Sequence, residues 1–418
     1  EIYERLDRAL APVEPACTGT GHHCVLPLKL PYSLLHFSVW LVHVGRVSLY
    51  LMDTNLDANS PWDRDLSARL YGGDQETRLR QEIALGIGGV RLLRALGIAP
   101  GIWHANEGHS ALMMVERVRE LVEAGRDFDR AVEEVRATTV FTTHTPVPAG
   151  HDAFPFSLID KYLAAYWPTL GLDRERFLAL GAHEEGWGAA FNMTALAIRL
   201  SGHRNAVSRR HAETSRRMWR ALWPALPEQE VPIVSVTNGV HVPSWVAPEF
   251  DRLYRMYLRK DWVARHDDQA LWRGVEAIPD EELLEVHRAL KLRLLRFLRD
   301  RARRRWTDAR AAPAQVVAAG ALLDPEALTI GFARRFAGYK RATLVFRDPS
   351  RRPLAQGDER RPELPAGGRQ PVRGRLARAG GRPGDQPHHL QLAEAARKHR
   401  AGDAGKARHQ RVEADRLV

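Results

Sequence analysis

Three times along this chain an apolar, β-rich run ends abruptly in a polar loop. Ile102-Trp103-His104 gives way to Asn106-Glu107-Gly108-His109, and a helical stretch from Ala111 to Ala124 follows. Ala137 to Thr143 stops at His144-Thr145-Pro146, and Ile233 to Val236 runs into Thr237-Asn238-Gly239. Buried strands followed by crossover helices are the βα alternation of a parallel, doubly wound sheet. Few other folds satisfy this alternation. It also predicts where function lies, because ligands of open α/β sheets bind in the crevice beyond the carboxyl ends of the strands. Glu107, His109, His144 and Asn238 all stand at such ends. His104, Glu107 and His109 together allow either a metal site or a polar loop facing a sugar.

The remainder of the chain fills in around that pattern. Residues 1–30, with Pro12 and Pro15, read as irregular. Ser38 to Val44 and Val47 to Leu51 read as two strands around the turn Gly45-Arg46. Leu70-Tyr71-Gly72-Gly73-Asp74 leads into a helix expected from Glu76 to Leu96, with Leu79, Ile83, Ile87 and Val90 at helical spacing. Gly86, Gly88 and Gly89 lie inside that helix, where glycine costs stability, so close packing against a sheet or ligand is expected. Asn192 to Leu200 begins another helix, which continues into a basic stretch from Ser201 to Arg220. Glu281 to Arg304 is a long amphipathic helix. Val316 to Ala319 and Leu328 to Ala333 return to a sheet-like pattern.

The 418 residues carry a net charge of +11, which raises the question of nucleic acid. From Arg347 onward there are 17 Lys and Arg against 9 Asp and Glu, so the last segment accounts for +8 of that charge. The body is near neutral, and a nucleic-acid partner is not expected of it. Residues 347–418 also lack any aromatic residue or isoleucine. Such a segment cannot bury enough apolar surface to offset chain entropy, so it reads as a disordered basic tail. Its Arg/Gly/Pro/Ala-rich text, starting in mid-helix where no domain boundary belongs, fits a frameshifted reading better. Mean hydropathy is −0.37, and no run of about eighteen apolar residues occurs, so no membrane span is expected. The N-terminus carries no starting methionine and no leader pattern, which is expected of an incomplete chain. Cys17 and Cys24 cannot form a disulfide framework and suit a reducing cytoplasm. With His22 and His23 they could form a zinc site, but the spacing is not Cys-x2-Cys and no second pair follows, so no metal is expected.

One basic stretch belongs to the body. Gly331 to Phe346 reads Gly-Phe-Ala-Arg-Arg-Phe-Ala-Gly-Tyr-Lys-Arg-Ala-Thr-Leu-Val-Phe. The apolar run Ala327 to Ile330 leads in like a buried strand, and Lys340 to Phe346 opens like a helix. Arg334, Arg335 and Lys340 are thereby grouped at a strand-to-helix turn, where arginine offers a bidentate grip on phosphate and lysine a point charge. Arg-Arg-Phe-Ala-Gly-Tyr-Lys-Arg resembles the phosphate-binding segment of the α-glucan (glycogen, starch or maltodextrin) phosphorylases, in particular their shorter bacterial and archaeal branch. Four further segments are similar to that family in the same order. They are Leu70 to Glu82, His104 to Leu112, Phe141 to Pro148 and Val236 to Val240.

The resemblance implies an α/β fold on a two-domain, glycosyltransferase (GT-B-like) plan with doubly wound sheets, the second domain truncated. Residues 1–250 would be the remainder of an N-terminal glucan-binding domain, and 251–346 the start of a phosphate- and cofactor-binding domain. The implied reaction is phosphorolysis of α-1,4-glucan by inorganic phosphate to glucose 1-phosphate, with pyridoxal phosphate as cofactor. His144 would touch the transferred glucosyl unit, with Thr145 beside it, and Asn238 would hydrogen-bond the same sugar. Glu107 and His109 would line the sugar site. Arg335 would hold the substrate phosphate, while Arg334 and Lys340 complete the anion site around the cofactor phosphate. Two family segments are not found: a Gly-Gly-Leu-Gly loop, and a Gly-Thr-Gly-Asn-Met-Lys stretch whose lysine forms the Schiff base. An internal fragment, inactive by itself, is therefore the expectation, in a cytoplasmic setting that allows a homo-oligomer. The alternatives are a nucleotide-sugar-dependent glucan synthase on the same plan, or a non-catalytic glucan-binding remnant.

Overall fold

The computed structural model describes residues 11–69, 73–144 and 151–307, together with Pro325, Gly331, Arg341 and Leu344. Its contacts divide the chain into two units, Glu1–Val240 and His241–Val418. The first unit opens with an antiparallel sheet of β1 (Glu14–Pro15), β2 (Val25–Lys29), β3 (Leu34–Val44) and β4 (Val47–Asp53). β3 is the centre and pairs with all three others. The β3–β4 hairpin turns on Gly45 and Arg46 as the sequence predicts. Gly45 adopts φ +60°, a conformation open to glycine at no steric cost. The irregular reading of residues 1–30 is corrected by β2. Five residues containing Pro27 carry no strand signature of their own; the register Val25↔Ser38 to Lys29↔Leu34 supplies it.

The expected long helix is one helical path with a defect. After a short helix α1 (Pro61–Arg64), α2 (Gln75–Ile83) is capped by the Asp74 carboxylate, which accepts from the Thr77 N–H. Ala84–Gly88 then takes up a π-helical turn before α3 (Gly89–Ala95). Two of the glycines explain why. A Cβ on Gly86 would stand 2.7 Å from Leu112 Cβ and 2.8 Å from the Met113 nitrogen. One on Gly88 would meet Met52 at 3.1 Å and Phe37 at 3.2 Å. The path is thus squeezed between the first sheet and the start of the next helix. Gly89 has open space around its Cβ position, so the close-packing expectation fails there.

The parallel sheet comes next. β5 (Trp103–Asn106) is followed by α4 (Leu112–Glu123), α5 (Phe128–Ala137) and β6 (Thr139–Thr143). A small antiparallel sheet interrupts, formed by β7 (Ala153–Phe154), β8 (Ala182–Glu185) and β9 (Gly188–Asn192). α6 (Phe156–Leu163) and α7 (Arg174–Gly181) join its strands. Then come α8 (Met193–Arg199), β10 (His203–Ala206), α9 (Arg209–Trp219) and β11 (Val234–Ser235). The parallel order is β11-β10-β6-β5. Within the basic stretch Ser201 to Arg220, β10 is a strand that the sequence reading did not anticipate. His-Arg-Asn-Ala has no strand propensity, and its pairing with Val140 to Thr143 makes it one.

Charged groups lock this layer from behind. The Glu116 side chain on α4 is fully buried and takes Arg91 at 2.8 Å, Arg119 at 3.0 Å and the Tyr166 hydroxyl. Burial opposes ionisation, but Arg119, Arg91 and Tyr166 outweigh it and hold its carboxyl below the usual range. Arg117 lies over the Trp103 ring at 4.7 Å and donates to Thr139 and Thr138 at 2.7 and 2.6 Å, tying the starts of β5 and β6 together.

The second unit, where described, is helical: α10 (Val242–Trp245), α11 (Pro248–Tyr257) and α12 (Asp280–Thr307). Trp262, 1% exposed, packs edge-on against Tyr254 and Trp272, and its Nε1 donates to Asp251 at 2.9 Å. Val316 to Ala319, most of the sheet-like run around Ile330, and residues 347–418 lie outside the described residues. Among the described residues no helix is long and apolar enough to cross a membrane.

Candidate active site at the carboxyl ends of the parallel strands

Parallel pairing places the ends of β5, β6 and β11 on one edge of the sheet, so the loops that follow them open on the same side. β5 and β6 are neighbours, and β11 lies two strands beyond β6, roughly 10 Å along the edge. Sequence spacing alone could not bring residues 107 and 144 together; the strand order does, and it sets 238 on the same edge two strands away.

Glu107 is the most constrained residue here. It has φ 70° and ψ 169°, a region that essentially only glycine enters without strain. Its own N–H donates to the Thr142 carbonyl at 2.9 Å. Gly108, next in sequence, packs so tightly that a Cβ would come within 2.7 Å of Thr194 Oγ1. The chain is pinned on both sides, and the Glu107 side chain is turned toward the next strand. There Oε1 accepts the His144 backbone N–H at 2.6 Å. His144 Nε2 lies 2.6 Å from Asn106 Oδ1. The β5 and β6 loops are therefore buckled together by two short bonds, and the half-buried His144 ring is held by one of them.

Behind this buckle a polar chain crosses three strands. His104 Nε2 lies 2.7 Å from Thr142 Oγ1, which donates to Asn205 Oδ1 at 2.8 Å. His104 is thus engaged with the sheet rather than with Glu107 and His109. Among the described residues, no group of three or more His, Cys, Asp or Glu is arranged to hold a metal ion. Cys17 is exposed and Cys24 buried, and both are free. Burial raises the Cys24 thiol, with a smaller push from Cys17.

His109 is half-buried at the end of the β5 loop. Burial, and then the Arg78 charge, hold it below the ordinary histidine range, so its imidazole is neutral near pH 7. Asn238 is exposed, and its N–H donates to the Val207 carbonyl at 3.1 Å, continuing the β10–β11 ladder into the loop. The asparagine side chain is free to turn outward. Thr145, Arg334, Arg335 and Lys340 lie outside the described residues.

Asn106, Thr142 and Asn205 were not marked by sequence reasoning, nor were Arg78, Glu82 and Asp152 beside His109. A strand threonine and an i,i+4 Arg/Glu pair on a helix read as ordinary. Only the register and the fold of residues 151–152 onto α2 give them a place in the site.

The fold is α/β, and polar loops gather at the carboxyl ends of its parallel strands. No family model matches the chain. Its sequence is 43% identical to a glycogen phosphorylase of Aquifex aeolicus over 85% of this chain and 51% of the relative. It is 41% identical to a maltodextrin phosphorylase of Thermococcus litoralis, over 84% of this chain and 41% of that one. A glycogen phosphorylase of Mycobacterium tuberculosis is 37% identical over 99% of this chain and 46% of its own length. Over most of its own length the chain is thus similar to glycogen and maltodextrin phosphorylases of bacteria and archaea, and it spans about half the length of the curated relatives it matches.

Proposed function

We propose that this chain is the glucan-binding part of an α-glucan phosphorylase, a glycosyltransferase that cleaves α-1,4-glucan with inorganic phosphate to release glucose 1-phosphate. The observation that carries this reading is the buckle between the β5 and β6 loops, in which strained Glu107 fixes His144 beside a neutral His109. A glucosyl unit offers hydroxyl groups that both donate and accept. A neutral imidazole, an asparagine amide and a fixed histidine suit it, because each can both donate and accept. His144 and Asn238 grip the unit being transferred, and Glu107 and His109 line the sugar site.

Phosphorolysis passes through a sugar-like cation, so the nucleophilic phosphate must be held close beneath it. Arg335 does this, with Arg334 and Lys340 completing the anion site, in the second domain of a GT-B-like plan. Positive groups placed where charge develops are worth most in a water-poor cleft, and excluding water also prevents hydrolysis from competing. Pyridoxal phosphate supplies acid–base chemistry through its own phosphate group when bound. Its expected contacts, Arg334 and Lys340, lie outside the described residues. A cytoplasmic setting, without nucleic acid, goes with this reading.

Titration of the protein with a maltodextrin tests it. Maltodextrin should bind, and His144→Ala and Asn238→Ala should each weaken binding roughly ten-fold or more, as loss of one good hydrogen bond to a sugar requires. Binding of a nucleoside diphosphate sugar in preference to maltodextrin would overturn the reading in favour of a glucan synthase.

A further inference from the structure

Beside the strand-end loops lies a second cluster of charge. α2 carries Arg78 and Glu82 one helical turn apart, and Asp152 reaches them from the segment leading to β7. Arg78 donates to Asp152 Oδ2 from Nη2 at 2.9 Å and from Nε at 3.2 Å. Glu82 Oε1 lies 3.3 Å from the same Nε, and the Glu82 side chain is only 1% exposed. Two carboxyl groups thus share one guanidinium, Glu82 shut away from water and Asp152 still 31% exposed. If both were ionised, a buried negative charge would be left over, which proteins avoid by neutralising one group.

We propose that Glu82 is a positioning residue that keeps its proton at neutral pH, donates it to the Asp152 carboxylate, and so fixes Asp152 and Arg78 against His109. The sugar-facing role of His109 rests on the phosphorylase reading; the shared proton does not.

The surroundings agree from every side. The titratable and charged groups facing Glu82 are Arg78 on its own helix and Asp152 opposite; His109 faces Arg78 and Asp152, with His144 beyond it. Burial first, then the charge of Asp152 and the hydrogen bond to it, push Glu82 well above the usual carboxylate range, with Arg78 acting in the opposite sense. Burial also works against an ionised Asp152, but Arg78 and the bond from Glu82 outweigh it and hold Asp152 low. Two like groups in one site are thereby driven apart, one acid and one carboxylate. Arg78, anchored by that carboxylate, is the charge that helps to keep His109 neutral. A carboxyl whose folded value is raised favours the folded state below its unfolded value. That contribution is lost as pH rises through its folded value.

Infrared spectra of the intact chain as a function of pH test this, alongside NMR titration of His109, in the native protein, Glu82→Gln and Glu82→Leu. The native protein should show the C=O band of a neutral carboxylic acid at pH 7, and the band should be lost in both variants. Glutamine mimics the neutral acid and still donates to Asp152. Glu82→Gln should therefore keep the native His109 titration and resist unfolding better at alkaline pH, whereas Glu82→Leu should shift the His109 midpoint. Absence of the band in the native protein, its survival in Glu82→Gln, or identical His109 titrations in the two variants would overturn the proposal. None of these readouts needs turnover or bound glucan. The proposal can therefore fail with the phosphorylase reading intact, and the reverse.

Discussion

At the scale of a residue, Glu107 concentrates the trade between strain and placement. A non-glycine residue at φ 70° and ψ 169° costs about 1–3 kcal/mol, and its carboxylate regains part of that through the bond to the His144 N–H. A hydrogen bond to a charged group contributes about 1.5–3 kcal/mol. Glu107→Ala keeps the strain and loses the bond, so it should destabilise the protein by about 2 kcal/mol. Glu107→Gly loses the same bond but relieves the strain, and should fall closer to the native protein. Urea unfolding of the two variants gives the comparison. If Glu107→Gly proved the less stable, strain would not be what the carboxylate offsets.

At the scale of an element, the π turn at Ala84–Gly88 determines how the site is backed. π-helical turns cluster at functional sites because one extra residue per turn redirects a helix. Here the redirected segment packs Gly86 on Leu112 and Met113, where α4 leaves the Glu107–His109 loop. Gly86→Ala would force Leu112 or the backbone of Met113 to move by several tenths of an ångström. Overpacking of this kind costs about 1–3 kcal/mol. The expected outcome is that loss of stability together with a shifted His109 resonance, since the push is delivered to the base of its loop. Gly89→Ala, with open space at its Cβ, should be neutral or slightly stabilising through helix propensity. Thermal unfolding and NMR of the pair distinguish the two positions.

At the scale of the molecule, the large apolar cluster around Phe37, Leu79, Leu112, Phe141, Phe177 and Phe191 is confined to the first unit. The second unit has its own buried group in Leu253, Trp262, Leu271, Ile278 and Leu295. Trp262→Ala removes the largest of these side chains together with its hydrogen bond to Asp251, and should cost about 3–5 kcal/mol. Hydrogen exchange should then accelerate in α11 while amides of β5 and β6 keep their protection. Equal acceleration in both would mean that the two cores unfold as one.

Some of this was legible without coordinates. The strand end before His144, the Gly45-Arg46 hairpin and the long helix at Glu281 follow from periods and turn residues that act over a few positions, whereas β5 runs two residues past the expected end at His104. So does the parallel α/β class, because βα alternation leaves few other ways to bury the strands. The five family-like segments are local strings too, and needed no fold to be read. What tertiary structure alone decided is everything that depends on which strand lies beside which. β2 and β10 are strands because a partner's register supplies hydrogen bonds that their own residues do not predict. Glu82 and Asp152 meet because residues 70 positions apart are brought onto one guanidinium, with Glu82 closed off from water. Propensity and pattern act along the chain, whereas desolvation and pairing act through space, and the site owes its chemistry to the second pair.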